Sequence, residues 1–192
     1  MSAFLRPAML WRPCAARASP MGASGDSLAD PDGDTALFYH PRAAGIWAIS
    51  HLSEPPRSPT SPEVIAQIRP SVGVAPHAFL REHPDAAELN PAFWDALHTV
   101  LQRQVPHDEM VQFEADLRHD GWAHLCDERN FAMPGRTQTP DNILASVAFT
   151  DKHILFETYS RNDMYRFCIG SEGPMKLPER WLSPLRDYLV KM

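Results

Sequence analysis

Proline restricts this chain more than any other residue. It lacks an amide hydrogen and has a fixed φ, which bars it from helix interiors and from central strands. Of the 19 prolines in 192 residues, 13 lie in residues 1–91, and Pro55, Pro56, Pro59 and Pro62 crowd one short stretch. Residues 26–89 are therefore expected to form a Pro-rich arm or linker, largely irregular and partly disordered, with Thr35 to Ser53 as a more apolar stretch inside it. One short helix is expected there, capped by Ser61, opened by Pro62 and stopped by Pro70. The regular structure is then left to residues 90–192, an ordinary size for one α+β domain.

Within that domain, three runs read as strands separated by polar turns: Ile143 to Phe149, Ile154 to Tyr159, and Met164 to Gly170. They predict a three-stranded antiparallel meander over 142–170. Setting Phe149 opposite Ile154 and Tyr159 opposite Met164 gathers Ala145, Val147, Phe149 and Ile154 on one face. The other face becomes mixed, with Ser146, Ala148, Leu155 and Cys168, and Glu157 falls opposite Arg166.

Helical spacing appears on both sides of this meander. Asn90-Pro91 opens a helix carrying Phe93, Leu97, Val100 and Leu101, which ends before Pro106. His107-Asp108 starts a second, with Met110, Phe113 and Leu117 on one face, Gly121 as a left-handed terminator and Trp122 folding back. Together they predict an αα-hairpin over 91–120. Trp181, Leu185, Tyr188 and Leu189 predict a C-terminal helix over 178–191, packed on the sheet.

Charge narrows the partners. At a net −6 the chain offers no basic patch for a phosphate backbone, so no direct nucleic-acid contact is expected. No apolar run is long enough for a membrane span. Residues 1–25 hold Arg6, Arg12 and Arg17, several alanines and serines, and no acid before Asp26. That is the composition of a mitochondrial transit peptide. The expected address is mitochondrial, the matrix above other compartments, with the cytoplasm as the alternative. Loss of residues 1–25 would take the net charge to −9.

Chemistry is sparse. The densest polar cluster is His119–Asn130, where His119, His124, Asp127 and Arg129 are the candidate catalytic residues. His119, His124 and Cys126 are the candidate metal ligands. Their spacing argues against both roles: the histidines are five apart, with a helix-ending glycine between them. No GxSxG, HExxH, GxGxxG or P-loop pattern occurs, so no cofactor is expected. Three cysteines without paired spacing argue against a disulfide framework or a structural zinc site. The leading expectation is a non-enzymatic mitochondrial accessory or assembly protein that binds a protein partner. A small hydrolase- or lyase-type enzyme using the His119–Arg129 cluster is the alternative, and a metal-binding protein the weaker one.

Overall fold

A computed structural model describes residues 26–130 and 139–192; the targeting segment expected at 1–25 lies outside them. Helices and antiparallel sheets are mixed, as the α+β reading requires, but they extend over far more of the chain.

The N-terminal stretch is not an arm. Leu28–Ala29 (β1), Phe38–Pro41 (β2), Trp47–Ser50 (β3), Ala66–Ile68 (β4) and Glu88–Leu89 (β5) form an antiparallel sheet in that order. The prolines punctuate this sheet. Pro41 closes β2, Pro70 lies just past β4, and Pro76, Pro84 and Pro91 open helical turns where the missing N–H costs nothing. The crowded group occupies the β3–β4 connection, which side chains hold in place. The Glu63 carboxylate accepts from the Arg57 amide (2.8 Å) and Nε (2.7 Å). Asn90 Nδ2 donates to the Ser61 and Val64 carbonyls at 2.7 and 2.8 Å. The helix expected after Pro62 is instead a turn, Val64 N–H to Ser61 carbonyl at 2.9 Å, followed by β4. Too few residues separate Pro62 from Pro70 to repay helix nucleation, and Val64, Ile65 and Ile68 favour a strand.

Four α-helices lie among the described residues: Pro76–Glu82 (α1), Pro91–Gln104 (α2), Glu109–Arg118 (α3) and Glu179–Lys191 (α4); the last three fall where spacing predicts them, and α1 falls in the stretch expected to be irregular. The expected αα-hairpin is present in sequence, but its helices do not pack chiefly on each other. α2 lies along α4, and α3 packs on the strand that follows it.

That strand corrects the meander. The three-stranded sheet runs Gly121–Cys126 (β6), Ile143–Thr150 (β7), His153–Arg161 (β8), with β7 central. The β7–β8 turn keeps the expected register, Phe149 opposite Ile154. After Arg161 the chain departs. Asn162 Nδ2 donates to the Pro140 and Ile143 carbonyls, both at 2.7 Å, and the Arg166 amide donates to the Asp141 carbonyl. The run expected as a third strand yields only Cys168–Ile169 (β9), paired with Gly173–Pro174 (β10). Arg166 accordingly pairs with Asp85 and not with Glu157. Gly121 opens β6 at φ 146, while His119 takes the positive φ that ends α3. A Cβ on Gly121 would meet the ring of Phe149, its partner across the β6–β7 pairing, at 3.3 Å, and the positive φ strains any side chain there.

One contiguous core runs from Leu37 through Phe93, Val147 and Trp181 to Leu189, joining all three sheets and all four helices. Polar ties cross it. Asp30, its side chain 1% exposed, accepts two guanidinium bonds from Arg81 (2.7 and 3.0 Å), the Tyr39 hydroxyl (2.7 Å) and the Asp32 amide (2.9 Å). Burial raises the Asp30 pKa, but Arg81 and the other donors outweigh it and hold the carboxyl below its usual range. Asp32 in turn pairs with Lys176 at 2.8 Å.

Arg81→Ala strands a buried carboxylate and is expected to destabilise by about 3–5 kcal/mol in chemical denaturation, with Arg81→Lys recovering part. Histidines set the acid limit. Burial depresses His51 and His98 to about 4. His51 Nδ1–H donates to the Ala36 carbonyl (3.1 Å), and its buried Nε2 has no acceptor awaiting a proton. Between pH 6.5 and 4 the unfolded chain binds protons that the folded chain refuses, so stability is full above 6.5 and falls on acidification. Each histidine adds a slope approaching about 1.4 kcal/mol per pH unit. His98→Gln is expected to flatten that slope.

Candidate functional site

The cluster at 119–130 comes apart once folded. α3 and β6 are joined by a tight turn, which puts His119 at the end of the helix, exposed, with its carbonyl accepting the Lys152 amide at 2.9 Å. Alternation along β6 sends Ala123 and Leu125 into the core and Trp122 and His124 to the open face. His124 Nδ1 sits 2.8 Å from Ser146 Oγ on β7. Cys126 is half-buried, with its thiol pushed up to about 12, chiefly by burial and then by Asp127. A thiol held protonated is a poor nucleophile and a poor ligand. Among the described residues, no three His, Cys, Asp or Glu side chains are disposed to hold a metal.

Asp127 and Arg129 point the other way, inward. Their side chains are both 0% exposed, and Arg129 Nε donates to Asp127 Oδ2 at 2.7 Å. The Tyr165 hydroxyl donates to the same oxygen at 2.8 Å, and the guanidinium stands 5.3 Å from that ring's centre. Arg129 Nη2 also reaches the Asp141 carbonyl at 3.1 Å. Burial raises the Asp127 carboxyl above its usual range, partly offset by Arg129 and Tyr165. Every polar atom of the pair is directed at the protein, which joins the end of β6 to the approach of β7 and the loop after β8. The structure thus brings Asp127 and Arg129 together and leaves His119 and His124 apart from them. Tyr165, on a separate stretch, was legible only as a strand residue.

None of these residues lines the half-open cleft between β4 and α1. That cleft, about 100 Å³, is lined by Ile46, Ile68, Phe79, Arg69 and Glu88 among others. Small-molecule sites are usually several times larger.

α3 carries apolar side chains on its outer face. Its first turn is fixed by Asp108, whose Oδ1 accepts the Met110 and Val111 amides at 3.0 and 3.3 Å. Asp108 Oδ2 accepts Trp181 Nε1 at 2.7 Å and Arg180 Nε at 3.0 Å from α4. With the helix pinned in this way, Val111 and Ala115 enter the core. Met110, Phe113 and Leu117, the face that spacing had marked as apolar, stand outside at 48%, 49% and 56% exposure. Phe156 on β8, against which α3 packs, and Trp122 on β6 are also about half exposed. Two other tryptophans belong to the core or its edge. Trp47 is buried in β3, and Trp94 meets Phe93, Tyr165 and Phe167 at centroid distances of 5.4, 5.6 and 6.4 Å.

No protein-family model matches the chain, and comparison with curated proteins and with solved structures returns no match.

If Asp127–Arg129 is a structural tie, Arg129→Ala costs about 3–5 kcal/mol and Tyr165→Phe about 1–2 kcal/mol. His119→Ala and His124→Ala change stability by no more than about 0.5 kcal/mol. Urea titrations of the four variants separate the two groups.

Proposed function

We propose that this chain is a non-enzymatic accessory or assembly protein, mitochondrial in address, that works by holding a protein partner on the outer face of α3. The observation that carries the reading is the double-sided character of that helix. One side, Val111 and Ala115, satisfies the fold, and a second apolar stripe of larger residues, Met110, Phe113 and Leu117, faces solvent. Apolar side chains scattered singly on a surface need no explanation, whereas a contiguous helical stripe does. Large apolar residues at i, i+3 and i+7 are the anchors by which helices meet partners. The mitochondrial address is supported by Arg6, Arg12 and Arg17 in an acid-free N-terminal segment and by nothing in the folded part. Among the described residues no helix is long and apolar enough to cross a membrane.

Two measurements test the reading. Replacing Phe113 by a photo-crosslinking phenylalanine in cells is expected to trap one protein in stoichiometric yield, and the same replacement at Leu28, exposed on β1, is not. An absence of adducts at Phe113 removes the function. Mass spectrometry of the endogenous N-terminus is expected to find a start near Ala18 or Ser19; an intact Met1 or Ser2 removes the address.

A further inference from the structure

We infer that the cleft between β4 and α1 is a binding site for a small zwitterion with a branched aliphatic side chain, the class of valine and leucine. It is a second site, separate from the α3 contact, and takes a small molecule where that contact takes a protein.

Size sets the first limit. The cleft holds about 100 Å³ and is half open. A water-sized group needs about 10–15 Å³ of such volume, so the space takes about seven to ten non-hydrogen atoms. Nucleotides and long acyl chains exceed that, whereas a single amino acid matches it.

The lining sets the second. Ile46, Ile68 and Phe79 supply apolar surface, and Gln67, Arg69 and Glu88 supply polar groups. Gln67 lies directly opposite Glu88 in the β4–β5 pairing, and β5 is the outermost strand of its sheet. Alternation carried one residue past β4 sets Arg69 on the same side as Gln67. Arg69 is then the diagonal neighbour of Glu88, at about 7–8 Å. Both side chains are exposed, and neither has an ion-pair or side-chain hydrogen-bond partner among the described residues.

A guanidinium and a carboxylate left unpaired in one cleft select by charge. A lone anion meets Glu88 as well as Arg69, and a lone cation meets Arg69 as well as Glu88. A divalent metal finds one carboxylate beside a fixed positive charge, too few oxygens for its shell. An α-amino acid carries both signs on one carbon. Its carboxylate on Arg69, in the two-pronged geometry that a guanidinium favours, and its ammonium on Glu88 satisfy both groups, and a branched side chain fills the apolar remainder. Exposed ion pairs contribute at most about 1 kcal/mol each, so the affinity is modest, with a Kd of about 1 mM.

Two-dimensional amide NMR of the full chain, titrated with leucine to about 20 mM, is expected to shift Gln67, Arg69, Phe79 and Glu88 with a Kd of about 1 mM. Isocaproate lacks the ammonium, isopentylamine lacks the carboxylate and glycine lacks the side chain; each is expected to bind at least about fivefold more weakly. Glu88→Gln is expected to abolish the preference for leucine over isocaproate, and Arg69→Met the preference over isopentylamine. An unchanged spectrum away from the cleft shows that these variants are folded. The absence of shifts with leucine overturns the inference, as it would if Arg69 and Glu88 closed on each other in solution. Equal binding of glycine or of the singly charged analogues overturns it too, and so do variants that keep the original selectivity. The crosslink at Phe113 is read separately, so loss of this site leaves the contact reading standing and loss of that contact leaves this site.

Discussion

A carboxylate taken out of water must keep its donors, and three aspartates impose that demand on this fold. Asp30 is held by Arg81 and Tyr39, Asp127 by Arg129 and Tyr165, and Asp108 by Arg180 and Trp181. Each joins segments distant in sequence: β1 to α1, β6 to the loop after β8, and α3 to α4. Apolar contacts tolerate small slips, whereas a buried carboxylate whose donors move pays the whole cost of desolvation. Core burial therefore supplies the bulk of the stability, and these three groups fix how the layers sit.

Much that was local in the structure was legible in the sequence. The β7–β8 register follows from a polar turn and alternation on either side of it. α2 and α4 follow from apolar spacing with Asn90 and Pro178 at their starts, and α4 carries Pro184 within it. What was hidden was pairing at a distance. Nothing in Gly121 to Cys126 announces that β7 is its partner, and the departure after Arg161 depends on Asn162 reaching carbonyls of residues 140 and 143. The N-terminal sheet was masked because its strands are two to four residues long and the prolines between them dominate any reading of composition.

The same distinction explains the surface. Spacing located Met110, Phe113 and Leu117 on one face of a helix, and a helix face with three large apolar residues ordinarily points inward. Here the smaller pair, Val111 and Ala115, points inward because Asp108 anchors the first turn to α4. The rotational setting of α3 is thus a tertiary property. The cluster at His119–Asn130 dispersed for a local reason: once 121–126 is a strand, alternate residues face opposite ways.

One detail of the sheet bears on how such a molecule stays in solution. Between Ser146 and Ala148 the β7–β8 pairing shifts, and the Thr158 hydroxyl takes the place of a backbone group, accepting the Ala148 amide at 2.8 Å and donating to the Leu155 carbonyl at 2.6 Å. The interruption bends β8, an outermost strand of nine residues that would otherwise offer a straight row of free amides and carbonyls to any passing chain. A protein that already exposes an apolar helical stripe gains nothing from a flat template for fibril growth beside it. The kink at Thr158 keeps the two kinds of stickiness apart, leaving adhesion to side chains, where sequence can discriminate, and withholding it from the backbone, where it cannot.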